Sequence, residues 1–268
     1  MNGSKNPAMK ELVGEGRLKR ADILLTRTKG SLLGALIRFG TGSYWNHALM
    51  VYTIRDTDQG YNTTFIIESG GSGIDIHNIA HYLEKPGKYD VAVKRFEADW
   101  FQDDTDSGGL RYRRKVRGFA LQEIDDKYDH GMIISIATRI LRQIVLGFLF
   151  PLQRIKSPDK RRLKNPSFIG LDVNAYICSG FVQWSYYRAI SQAIEEGYLD
   201  ESRLQEIIFN PRKNAPGKEE NYLLSTTPAD LANCDKLSWK YVIIYGNIKP
   251  VSSRTEVDEF IKSKGKKS

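Results

Sequence analysis

The order of elements along the chain predicts an α+β protein. Strand-type segments gather toward the N-terminus, helical ones fill the middle, and a last helix and strand close the sequence. That order lacks the regular strand–helix alternation of a parallel α/β sheet, so an antiparallel sheet carrying packed helices is expected. With 268 residues, of which 41% are hydrophobic and 27% charged, the chain can bury one core without disulfide or metal staples.

Residues 1–19 read as a polar arm with no apolar signal-peptide core, which points to a cytoplasmic protein. Ala21–Arg27 is a strand, and Ser31–Phe39 a short amphipathic helix ended by the glycine-containing run Gly40–Ser43. Asn46–Tyr52 and Thr63–Ser69 are two further strands separated by a polar turn region. Gly70–Gly73 is a turn, Ile74–Leu83 leads onward, and Asp90–Phe96 is a strand. Residues 97–110 read as loop and Leu110–Tyr128 as helical. Met132–Phe150 is strongly apolar, but Arg139 and Arg142 interrupt it, so it reads as a buried or interfacial helix and not a membrane span. Cys178–Glu196 is a long helix, residues 197–210 contain another, and 211–221 are loop. Thr227-Pro228-Ala229-Asp230-Leu231 opens a helix with proline near its first position. Trp239–Tyr245 is the last strand, and residues 251–268 are a disordered Lys-rich tail. One domain over 20–250, with a basic helical insertion at 97–172, accounts for these elements.

The net charge of +8 is concentrated in Arg111–Arg117, Arg154–Lys164 and Lys262–Lys267. Such clusters either solvate faces or attract anions, an anionic membrane surface among them. No zinc-finger, RNA-recognition or helix-turn-helix pattern accompanies the charge, which argues against nucleic acid. The two cysteines give no metal-binding spacing; a single Cys178–Cys234 bridge is the alternative to two free thiols. His77 and His81 have the spacing of helical metal ligands, but Asn78 stands where a metalloprotease motif needs glutamate, so no metal and no cofactor is assigned. His130 reads as a helix-start residue.

Cysteine catalysis needs a thiolate, an imidazole, and a group that orients the imidazole. Cys178 stands at the predicted start of an apolar helix, where free N–H groups would favour a thiolate. All four histidines precede it, so its base comes from upstream. A symmetrical turn centred between Thr57 and Asp58 sets His47 directly opposite Glu68, on one face of a hairpin. Cys178, His47 and Glu68 thus supply the three residue types. The competing reading of Cys178 is a small buried hydrophobe.

Cys178-Ser179-Gly180-Phe181-Val182-Gln183 resembles the nucleophile motif of NlpC/P60 papain-like thiol hydrolases, although their usual histidine after the cysteine is missing. Ala21-Asp22-Ile23-Leu24-Leu25, Tyr44-Trp45-Asn46-His47-Ala48, Glu68-Ser69-Gly70 and Thr226-Thr227-Pro228-Ala229-Asp230-Leu231 are similar, in this order, to the circularly permuted YiiX/YebB-like branch. The resemblance spans roughly 21–96 and 173–245. It implies a permuted papain-like fold in which an antiparallel sheet or barrel packs against the nucleophile helix. It also implies Cys178 as nucleophile, His47 as general base and acid, Glu68 as orienter, and the Cys178 N–H in an oxyanion hole. Tyr176, Ser179 and Asn46 would neighbour the substrate. Ile177 departs from the aspartate that many unpermuted members carry before the cysteine. The activity implied is cleavage of an amide bond in a peptide, or of an acyl group from a small or lipid substrate at a membrane surface. A non-catalytic binding module of the same fold is the alternative class.

Overall fold

The run Ile23-Leu24-Leu25 is apolar at consecutive positions, which suits a strand covered on both faces, and it forms β1 (Ile23–Thr28) at the centre of the sheet. The computed structural model describes Leu12 and residues 17–55, 60–70, 73–122, 173–210 and 219–265. After β1 come α1 (Leu32–Thr41), β2 (His47–Ile54), β3 (Thr64–Gly70), β4 (Gly73–Asn78), α2 (Ala80–Leu83) and β5 (Tyr89–Phe96). Then follow α3 (Asp99–Gln102), α4 (Gly109–Gln122), α5 (Val173–Glu195), α6 (Ser202–Glu206), α7 (Glu219–Leu224) and α8 (Pro228–Asn233). β6 (Leu237–Ile244), β7 (Asn247–Pro250) and α9 (Arg254–Gly265) complete the order.

The seven strands form one antiparallel sheet, β4-β3-β2-β1-β5-β6-β7, so the fold is α+β. Among the described residues β4 and β7 stand at its two ends and no pairing joins them, where the sequence left a barrel as an option. Alternation along the strands builds two cores. Ile23, Leu25, Met50 and Ile67 face α5, which meets them with Phe181, Val182 and Tyr186. Leu24, Leu49, Val51 and Ile66 face the other way, onto Tyr61, Tyr82 and Leu83. Burying these side chains is the main force holding the sheet between its layers.

The Asp22 carboxylate is buried at the mouth of β1 and takes two bonds from Arg95 of β5, both 2.7 Å, and one from the Lys19 N–H at 2.7 Å. The bidentate geometry of this pair thus clamps two neighbouring strands. Ala21, beside it, has φ of 69°, and its carbonyl accepts from the Tyr186 hydroxyl of α5.

Several expectations change. Residues 74–78 are the edge strand β4, hydrogen-bonded to β3 across the Gly70–Gly73 turn. His77 lies on that strand and His81 on α2, so they do not share a helix. Residues 99–102, read as loop, are helical, and α4 packs on α5 through Tyr112, Val116 and Ala120 in the main core. The Lys-rich tail is ordered as α9, with Val257 buried against β6, because Val257, Phe260 and Ile261 form an apolar stripe. The Arg111–Arg117 cluster is largely spent internally. Arg113 bonds the Phe101 carbonyl and Asp104, Arg117 bonds the Tyr52 carbonyl, and Lys115 pairs with Glu196. His130, Met132–Phe150 and Arg154–Lys164 lie outside the described residues. Among those described, no helix is long and apolar enough to cross a membrane.

Candidate active site

His47 and Glu68 meet, but not as a symmetrical turn would arrange them. The pairs next to the turn are Ile54↔Thr64 and Thr53↔Phe65; beyond Tyr52 they become Val51↔Ile66 and Met50↔Ile67. Tyr52 is therefore an extra residue in β2, a β-bulge. Carried through without it, the turn-side register would set Glu68 opposite Met50 and leave His47 on the other face. With it, Glu68 falls beside Leu49, and His47 reaches it on the diagonal of the same face. The contact expected from the sequence is present; the direct opposition is not.

Glu68 is buried and collects three donors. Its Oε2 accepts from His47 Nε2 and, at 2.6 Å, from the Tyr82 hydroxyl; its Oε1 accepts from His77 Nε2. Burial works against the carboxylate charge, yet the hydrogen bonds and charge of His47, with Tyr82 and His77, pull its pKa down to about 2. The same burial, with the Glu68 charge next to it, pushes the Tyr82 phenol well up, so Tyr82 remains a donor. His77 in turn stacks on His81, ring centroids 5.6 Å apart, and the His81 ring lies 3.3 Å from the Tyr89 hydroxyl.

Cys178 comes to this cluster from α5, one turn before Val182. The thiol is fully buried and hydrogen-bonds the His47 side chain. With Nε2 on the carboxylate, Nδ1 is the ring nitrogen left for the sulfur. Burial disfavours a charged imidazole, but Cys178 first and Glu68 second outweigh it and raise the His47 pKa to about 10. The ring is therefore held between two groups that both stabilise its protonated form.

Two expectations about the nucleophile fail. α5 begins at Val173, so Cys178 lies more than a turn inside it and its N–H belongs to the helical ladder. That N–H is not a free oxyanion donor, and the dipole effect of the first turn is spent before it. The buried Ser179 hydroxyl donates to the Thr226 carbonyl at 2.6 Å. Gly180 and Gln183 complete a docking role for the motif. The Leu224 backbone lies against Gly180, and Gln183 bonds the Ile207 carbonyl and the Phe209 N–H. Asn46 accepts from the Thr28 N–H at 2.9 Å and ties the end of β1 to the start of β2. Tyr176 belongs to the first turns of α5; its side chain lies outside the described residues.

His77 and Tyr82 are the members that sequence reasoning missed. The signal for His77 was the alternation Ile74-Asp75-Ile76-His77 after a glycine turn, which marks a strand and puts His77 on the Glu68 face. Cys234, the other thiol, is also free, so no Cys178–Cys234 bridge exists. Its pKa is raised by burial, and it lies at the end of α8. There the buried Lys94 ammonium donates to the carbonyls of Leu231, Ala232 and Cys234 at 2.8–3.0 Å. Burial lowers the Lys94 pKa to about 8. Among the described residues, no group of three or more His, Cys, Asp or Glu side chains could hold a metal ion. No protein-family model matches the chain, and no curated protein does either, so the geometry of the site stands on its own.

Proposed function

We propose that the chain is a cysteine hydrolase that cleaves an amide bond through an acyl-thioester, on a circularly permuted papain-like fold of the NlpC/P60 type. The observation that carries this reading is the His47 imidazole, fixed by Glu68 at Nε2 and bonded to the Cys178 thiol. In acylation, Cys178 gives its proton to His47 and its sulfur adds to the substrate carbonyl carbon. As the C–N bond breaks, His47 returns that proton to the departing amine, leaving the thioester. Water then adds to the thioester carbonyl while His47 takes one of its protons. The C–S bond breaks, the acid leaves, and the proton restores the thiol. Glu68 keeps its charge throughout, since its pKa is near 2, and stabilises the imidazolium in one orientation.

Thiol labelling by a small acyl or alkyl electrophile tests the assignment; the reagent must be small because the thiol is buried. Cys178→Ala is expected to abolish fast labelling near neutral pH, while Cys234→Ala keeps it. Equal labelling of the two variants would sink the nucleophile assignment.

A further inference from the structure

The exposed face of α1 is apolar where a surface helix is ordinarily polar. Leu32 is 79% exposed and Phe39, two turns further on, 87%, with exposed Ala35 between them on one stripe. The opposite side packs inward through Gly34 and Ile37. α1 contains no acidic residue. At its base stand two guanidinium groups, Arg27 and Arg38, close enough for the Arg27 charge, after burial, to depress the pKa of Arg38. Neither shows an ion pair among the described residues; Arg27 hydrogen-bonds Tyr44, and the buried Arg27 Nε and Arg38 Nη1 have no hydrogen-bond partner. Arg27 lies over the Tyr44 ring, 4.4 Å from its centroid.

We infer that this face docks on an anionic phospholipid bilayer, with Leu32 and Phe39 entering the headgroup–acyl boundary and Arg27 and Arg38 meeting lipid phosphates. The layering selects this occupant. The apolar side chains project furthest and the two cations sit half-buried beneath them, which is the depth order of acyl chain and phosphate. A ten-residue helix is too short to cross the hydrocarbon and suited to lie in the interface. The net charge of +8 adds long-range attraction to an anionic surface. The docked face adjoins the site: the Asn46 side chain sits against Gly34, one residue before His47.

Co-sedimentation of the full chain at low salt tests this, using phosphatidylcholine vesicles with and without phosphatidylglycerol. The wild type is expected to bind the anionic vesicles and not the neutral ones. Leu32→Ser/Phe39→Ser should lower the partition coefficient at least about tenfold. Arg38→Gln should lower it about fivefold, with Arg38→Lys retaining binding. Thermal melts check that each variant is folded; both apolar positions are on the surface. Absence of wild-type binding, or binding unchanged in the double serine variant, overturns the inference. So does a concentration-dependent dimer that the double variant loses without any vesicle binding, which would assign the face to a second copy of the chain.

Discussion

Gly180 leaves space that the Leu224 carbonyl fills: a Cβ at that position would lie 2.1 Å from the Leu224 oxygen. The atoms in the way are backbone, so α5 and α7 would have to separate. Gly180→Ala is expected to cost about 1–3 kcal/mol. The measurement is the urea midpoint, with the slope unchanged. A midpoint equal to wild type would contradict so close a seat.

Glu68 divides its two oxygens between the two histidines, and His77 holds the one that His47 does not use. His77→Phe removes that donor while keeping a ring, and should loosen the carboxylate by about 1 kcal/mol, about fivefold in the rate of Cys178 alkylation. His77→Gln keeps a donor and should recover most of the rate. The groups facing His77 are Glu68 from β3 and His81 from α2. Equal rates in the Phe and Gln variants would show that His77 does not position Glu68.

The triad also sets a pH window for stability. The folded state raises His47 from its ordinary 6.5 to about 10, so this contribution is complete below about pH 6.5 and is lost as pH climbs through about 10. Glu68 runs the other way: lowered from 4.5 to about 2, it contributes fully above about pH 4.5 and loses that as pH falls toward 2. Cys178→Ala removes the foremost group that raises His47. Its stability curve should therefore be flatter than wild type between about pH 6.5 and 10. Parallel curves from denaturant titrations at several pH values would rule out the thiol as the source.

Asp22 and Arg95 are both buried, and each is the other's ion-pair partner. Asp22→Ala strands the guanidinium and should cost about 3–5 kcal/mol. Thermal or denaturant unfolding reads this directly. A loss below about 1 kcal/mol would mean that water or a neighbour replaces the carboxylate.

Legibility in the sequence followed the range of the forces involved. β1, β5 and the core of α5 were readable because apolar periodicity is a local signal. The capping box of α8, Thr227 with Asp230 behind Pro228, was equally local. The Tyr52 bulge was not, since nothing in the Tyr52 environment along the chain distinguishes an extra residue from a paired one. Parity between His47 and Glu68 was nonetheless expected correctly, because the assumed turn and the real bulge differ by an even shift. The docking bond of Ser179 was hidden for a related reason. Its partner, the Thr226 carbonyl, is distant in sequence, and a hydroxyl beside a nucleophile looks the same whether it binds substrate or backbone. α9 was hidden by its lysines: Lys262 is exposed, but Lys264 lies over the Phe260 ring on the side that carries Val257.

The placement of His47 and Glu68 within one hairpin, and of Cys178 on α5, has a consequence for biosynthesis. Base and orienter can associate as soon as β2 and β3 have been synthesised, since hairpins close within microseconds. The thiol emerges much later, and its partner helix is seated only when Thr226 and Leu224 have also left the ribosome. A nascent chain therefore carries the His47–Glu68 pair well before the thiol that meets it in the folded protein. His47, Glu68 and Cys178 thus come together only at the last docking event, and a chain that stops before Thr226 lacks the seat that holds the thiol against the imidazole.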